Sequence, residues 1–139
     1  MKENEYKKEY LSGYKNLCTK LQSLEEQLQS IREVKQSART QKLSDMPKAR
    51  NQSSDLSDVM VQLEVIFTKI INKRSDCLKK KMEIESIIAD MEDGTESNIL
   101  RKRYLEFKNW EDICDEIGYS WRQTHYLHDK ALANFRMVS

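Results

Sequence analysis

Long apolar runs are missing from this sequence. The longest are stretches such as Ile70-Ile71 and Ile87-Ile88-Ala89, whereas a membrane-spanning helix needs roughly 20 mainly apolar residues in succession, so no membrane span is expected. Glycine and proline are nearly absent, with three of the first and one of the second in 139 residues. Sheet proteins need many more turn formers. With 34% charged and 38% hydrophobic residues, the composition predicts an all-α protein. Cysteine is sparse: Cys18, Cys77 and Cys114 lie far apart, make no CxxC pair and are odd in number. Neither a disulfide framework nor a zinc module is expected, and the thiols should be reduced. The N-terminal Met1-Lys2-Glu3-Asn4-Glu5-Tyr6 lacks the apolar stretch of a secretory signal, which predicts a cytoplasmic protein.

There is no surplus of one charge, since the formal net charge is +1. Locally the balance shifts. From Lys69 to Lys81 six basic residues face one acid, Asp76, and from Arg32 to Arg50 six face Glu33 and Asp45. Such runs are usually solvated helix faces or polar loops; contact with phosphates is the other reading, and both stay open. Catalytic signatures are lacking: there is no glycine-rich phosphate loop, no nucleophile with a base and no carboxylate pair in a foreseeable pocket, so neither an enzyme nor a cofactor is expected. His125 and His128 have a spacing that can ligate metal. No set of further ligands completes it, and no metal site is expected.

What the sequence does have is seven-residue periodicity. Tyr10, Tyr14, Leu17, Leu21, Leu24, Leu28 and Ile31 alternate steps of four and three, a narrow seam suited to a second helix. Gly13 interrupts it at a cost of about 1 kcal/mol relative to alanine. Leu56, Leu63, Ile70, Cys77, Ile84 and Met91 recur every seven residues, with Val59-Met60, Ile66-Phe67 and Ile87-Ile88 beside them. That second stripe is wider than one seam requires. The expected architecture is a long antiparallel, coiled-coil-like hairpin over residues 1–93. Its loop is placed at about 39–55, around Pro47, with Ser54 or Asp55 capping the second helix. A fold-back near Pro47 sets Cys18 opposite Cys77. Two helices bury little area alone, so homodimerisation through the hairpin is expected. Glu92-Asp93-Gly94-Thr95 should end the second helix with Gly94 in the left-handed conformation.

Residues 94–139 differ in character and are expected to be a separate helix-turn-helix domain. Asn109 precedes acids suited to a helix N-terminus, and Ser120 with Gln123 makes a capping box. Together they predict a helix from Trp110 to Ile117, a turn at Gly118 and a second helix from Trp121 to about Phe135. A helix-turn-helix needs a small residue at the crossing, a glycine in the turn and apolar residues that lock the pair. Cys114 and Gly118 fill the first two roles, and Ile113, Ile117, Tyr119, Thr124 and Leu127 the third. The outward face should then carry Trp121, Arg122, His125, Tyr126, His128 and Asp129. Arg122 and Gln123 suit paired hydrogen bonds to bases, while Trp121, His125 and Tyr126 suit stacking and methyl contacts, so these five are the expected base readers. Ser120, Lys130, Arg101, Lys102 and Arg103 are the expected backbone contacts. Seven bases and seven acids between Thr95 and Ser139 cancel, so DNA affinity of this domain alone should be weak.

Leu100-Arg101-Lys102-Arg103-Tyr104, Ile113, Ser120, Leu127 and Lys130-Ala131-Leu132 resemble region 4 of bacterial sigma factors of the sigma-70 class. Together with the hairpin, the Met46-Pro47 loop and Gly118-Tyr119-Ser120-Trp121-Arg122-Gln123-Thr124-His125, the chain is similar to small prophage-encoded regulators of Gram-positive bacteria that carry a sigma-region-4-like domain. The resemblance implies double-stranded DNA as partner and a role in phage gene control. Trp121 stands where sigma factors often carry arginine, so their promoter specificity is not carried over. Two alternatives fit the same architecture: a small terminase-like DNA-packaging subunit, and a module that docks on RNA polymerase with no DNA specificity of its own.

Overall fold

The computed structural model describes residues 2–44 and 49–137, the side chains of 35–44 and 49–55 excepted. The described residues are all-helical or in short connections, with no strand among them. Helix α1 spans Lys2–Ser44, α2 Ala49–Ala89, α3 Gly94–Leu100, α4 Trp110–Ile117 and α5 Trp121–Asn134, and a π-helical turn, Arg101–Leu105, continues α3. Among these residues no helix is long and apolar enough to cross a membrane.

The loop expected at 39–55 is much shorter in the structure, because α1 persists to Ser44 and α2 is already helical from Ala49. The physical reason is composition. Residues 38–44 and 49–55 contain no glycine or proline, and nothing else there breaks a helix strongly. Ser54 and Asp55 therefore lie inside α2 rather than at its cap, and the turn around Pro47 falls outside the described residues. Gly94 is corrected too. It is not left-handed but opens α3, whose cap is Asp93: one carboxylate oxygen accepts from the amides of Thr95 and Glu96 at 2.9 and 3.0 Å. That satisfies two free first-turn donors, which a glycine cap on α2 would not do.

The chain forms two compact units, Thr19–Ser75 and Met1–Cys18 with Asp76–Ser139. In the first, α1 and α2 run antiparallel: Arg74 pairs with Glu25 at 3.0 Å, and seven residues further along, Arg32 lies over the Phe67 ring at 5.6 Å. The heptad places Leu63, Ile66 and Ile70 inside, as a period of seven on one helix face demands. Met60, Val61, Val65, Phe67 and Ile71 remain exposed on the same helix.

In the second unit, Leu11, Tyr14, Cys77, Ile84 and Ile88 are buried between the helices. The Lys80 ammonium sits 3.4 Å from the centre of the Tyr10 ring. Tyr14 lies beside both thiols: burial, a hydrogen bond with Cys18 and the charges of Cys18 and Cys77 push its hydroxyl up to about 12. The same face of α1, one turn before Tyr10 and Leu11, carries Lys7, which is only 6% exposed. Its ammonium donates to the carbonyls of Leu132 (2.8 Å) and Ala133 (3.2 Å) at the end of α5, where unpaired carbonyls and the helix dipole both favour a cation. Asn4 donates to the Asp129 carbonyl nearby. These bonds cross the boundary at 93/94 drawn from the sequence.

The remaining core is formed by Ile99, Leu100, Ile113, Leu132 and Phe135, all fully buried. Each contributes roughly 1.5–3 kcal/mol by leaving water. Glu96, also buried, accepts from the Asn134 side-chain amide with both carboxylate oxygens at 3.1 Å, fastening α3 to the last residue of α5. The end of α5 is thus held by α1 and α3.

Candidate nucleic-acid interface

Two caps and one glycine determine how α4 meets α5. The Asn109 side chain accepts from the Asp112 amide at 2.8 Å, and Ser120 Oγ accepts from the Gln123 amide at 3.2 Å. Each fixes where a helix starts by satisfying a donor that has no carbonyl four residues back. Between them Gly118 adopts φ 75° and donates to the Cys114 carbonyl at 2.9 Å. A side chain there would meet no atom within 4 Å, so the requirement for glycine is one of backbone conformation and not of space.

Of the expected locking residues, Ile113 and Thr124 are fully buried, while Cys114, Ile117 and Leu127 are half-buried. Tyr119 departs from expectation. It is 45% exposed, because it sits between the left-handed Gly118 and the extended Ser120, where the backbone reverses.

The inner face of α5 consists of Thr124, His128, Ala131 and Leu132. His128 is therefore a second correction: expected outside, it is 3% exposed. Its Nε2 is 2.8 Å from the Tyr104 hydroxyl, and the Trp110 ring meets it edge-on at 4.7 Å. Steps of three and four put position 128 at the margin of the apolar stripe, and a polar partner on the π turn drew it inward. Burial holds its imidazole down to about 4, assisted by its neighbours Lys8, His125 and Arg103. Tyr104 moves the opposite way, up to about 12, again chiefly by burial, since in each case the charged form is the one disfavoured.

The outer face carries Trp121 and Tyr126, each 55% exposed, with Arg122, Gln123, Asp129 and Lys130 also exposed. Lys130 lies over the Tyr126 ring at 5.4 Å. His125 is half-buried, held between the rings of Trp110 (4.4 Å) and Trp121 (4.6 Å). Four of the five expected base readers, Trp121, Arg122, Gln123 and Tyr126, thus share one solvated surface, and the fifth, His125, packs beneath it. Ser120 is exposed at the start of the helix but spends its hydroxyl on the cap.

The basic residues of the π turn are turned toward the protein. Arg101 pairs with Glu85 at 4.0 Å, and Lys102 with Glu116 at 3.5 Å. Arg103 stacks over Trp110 at 4.8 Å and donates to the Lys108 carbonyl. Lys108 joins Glu106 and Glu116, so that Glu116 ties α4 to the π turn; their mutual hydrogen bonds raise the lysine and lower the carboxylate. Among the described residues no group of three or more His, Cys, Asp or Glu side chains could hold a metal ion.

Three features of this region had no signal in the sequence. The π turn closes with the Glu106 amide donating to the Arg101 carbonyl at 3.0 Å. Phe107 follows in the left-handed region at φ 59°, where a bulky side chain is rarely found. Lys7, on an ordinary-looking helix, proves to be an anchor for α5.

Residues 38–135, more than two thirds of the chain, match a protein family described as "Protein of unknown function (DUF1492)". No curated protein and no solved structure matches the chain significantly.

Proposed function

We propose that this chain, which belongs to the DUF1492 family, is a sequence-specific DNA-binding regulator of transcription that lays α5 in a major groove. The observation that carries the proposal is the division of α5 into two faces: Thr124, His128, Ala131 and Leu132 locked inside, and Trp121, Arg122, Gln123 and Tyr126 in solvent next to a capped N-terminus. In a helix-turn-helix the N-terminal part of the second helix reaches the base edges. Arg122 and Gln123 read hydrogen-bonding edges, Trp121 and Tyr126 pack on thymine methyls, and His125 fixes the pose of Trp121. Lys130 meets the phosphates. Arg101 and Lys102 join it by exchanging Glu85 and Glu116 for DNA, a small sacrifice since such surface pairs are worth about 0–1 kcal/mol.

The resemblance to sigma region 4 supports this assignment and points to phage or prophage genes as targets. Homodimerisation through α1 and α2 supplies the second half-site, supported by the apolar side chains exposed on α2 between Met60 and Ile71. Selection of bound duplexes from a random pool at two salt concentrations tests the proposal. An enriched motif is expected. Arg122→Ala should reduce discrimination at one base position by about 1–3 kcal/mol, and an equal loss on selected and random DNA would contradict the role assigned to Arg122. Failure to enrich any sequence at either salt would refute DNA reading outright. A ring of many subunits in solution would favour the packaging alternative over the dimer.

A further inference from the structure

Beside the α5 surface, and independent of whether that surface meets DNA, residues of α1, the π turn, α4 and α5 line an open cavity of about 420 Å³. We propose that this cavity is a binding site for a small phosphorylated ligand of mononucleotide size. Its volume lies in the lower part of the range occupied by small-molecule sites. Its chemistry is uneven. Lys8 and Lys15 from α1 and Arg103 from the π turn bring three positive charges to the walls, against the single carboxylate of Asp129. The excess of two matches a phosphate monoester, which carries about −1.5 to −2 at neutral pH.

Several independent features converge on the same walls. The Nε2 atom of His125, a lining residue, is buried and has no hydrogen-bond partner. A buried polar atom left unpaired costs about 1–3 kcal/mol, and a ligand oxygen or hydroxyl would pair it once the His125 ring turned toward the cavity. Phe107, an exposed aromatic side chain of the lining, supplies surface for a planar base. Phe107 also stands in the left-handed conformation at the end of a π-helical turn; both kinds of local distortion concentrate at functional sites.

The chain's two tryptophans, Trp110 in the wall and Trp121 one ring away across His125, provide the readout. Adenosine monophosphate and guanosine monophosphate are titrated into the full-length protein while tryptophan emission is followed, with adenosine alone and inorganic phosphate alone as parallel arms. Saturable quenching by the mononucleotides is expected. Lys8→Gln lies on the exposed side of α1 and should leave the helical circular dichroism intact while weakening binding about tenfold, the worth of one charge-assisted hydrogen bond. Arg103→Gln should weaken it similarly. Absence of saturation at millimolar mononucleotide overturns the proposal. So does equal binding of adenosine with no effect of Lys8→Gln, which would mean an aromatic slot without phosphate recognition, and so does equal binding of phosphate alone. Loss of duplex DNA binding on Lys8→Gln without any mononucleotide signal would reassign these cations to the DNA backbone. Because Arg122 lies outside the cavity, DNA selection with Arg122→Ala fails or succeeds separately.

Discussion

Acidification should destabilise this protein through one imidazole. His128 Nε2 and the Tyr104 hydroxyl share a buried hydrogen bond of 2.8 Å. Around it stand Trp110 from α4, Arg103 and Tyr104 from the π turn, Lys8 from α1 and His125 on α5. Only Asp129, with Oδ1 at 4.0 Å from Nδ1, favours a second proton, and its side chain is largely in water. Burial and the neighbouring cations win, taking the group from its ordinary 6.5 to about 4 in the folded state. Between those values the unfolded chain binds a proton that the folded chain refuses. Stability is therefore fully present above pH 6.5, falls as pH drops toward 4 and loses nothing further from this group below that. The shift corresponds to about 3 kcal/mol at 1.36 kcal/mol per unit, a large share of the 5–15 kcal/mol typical of a domain. Urea unfolding followed by circular dichroism at steps from pH 7.5 to 4.5 measures it, for the native chain and for His128→Gln. Carboxylates such as Glu116 titrate in both, so the difference between the two curves isolates His128. Parallel curves, or an imidazole proton resonance titrating near pH 6.5, would refute the reasoning.

Lys7→Met keeps the aliphatic stem but leaves the carbonyls of Leu132 and Ala133 without their donor, and should lower unfolding free energy by about 2–3 kcal/mol, the worth of hydrogen bonds to a charged group less the cost of burying it; no change in the urea midpoint would mean that the anchor is idle. Gly118→Ala, with open space around it but a φ of 75°, should cost about 1 kcal/mol through backbone strain alone, and a loss above 3 kcal/mol would show a packing role that the geometry lacks. Oxidation by diamide, which takes up two electrons and two protons from a thiol pair, should join Cys18 to Cys77 within one chain and give a faster band on a non-reducing gel, absent in Cys18→Ser; a band unaffected by that substitution would place the α1–α2 register around Tyr14 in error.

The parts of the fold that were legible from the sequence are those governed by neighbours. Asn109, Ser120 and Gly118 act on amides within three or four residues, and they located α4 and α5 almost to the residue. The seven-spaced positions of α2 likewise announced Leu63, Ile70, Cys77 and Ile84 as inward, because periodicity on a helix is a local property, whereas Met60 and Phe67 beside them stay exposed. What escaped depends on distant partners or on weak local preference. Lys7 reads as a solvated lysine until the end of α5 is brought to it. His128 reads as an outward histidine until Tyr104 is placed opposite. Leu11 lies off the seam of α1 and is buried nonetheless. The helical span through residues 39–44 and 49–55 went unrecognised since polar residues without periodicity resemble a linker, although nothing in them opposes a helix. The distortion at Phe107 had no sequence sign, as a phenylalanine is among the last residues to be assigned a positive φ.

The anchor between Lys7 and the end of α5 joins groups 125 residues apart in sequence. A ribosome adding about 5–20 residues per second needs roughly 6 to 25 s to cover that distance. Throughout that interval Lys7 has no α5 to reach, so the anchor closes only after translation has passed Ala133, at a time set by elongation speed.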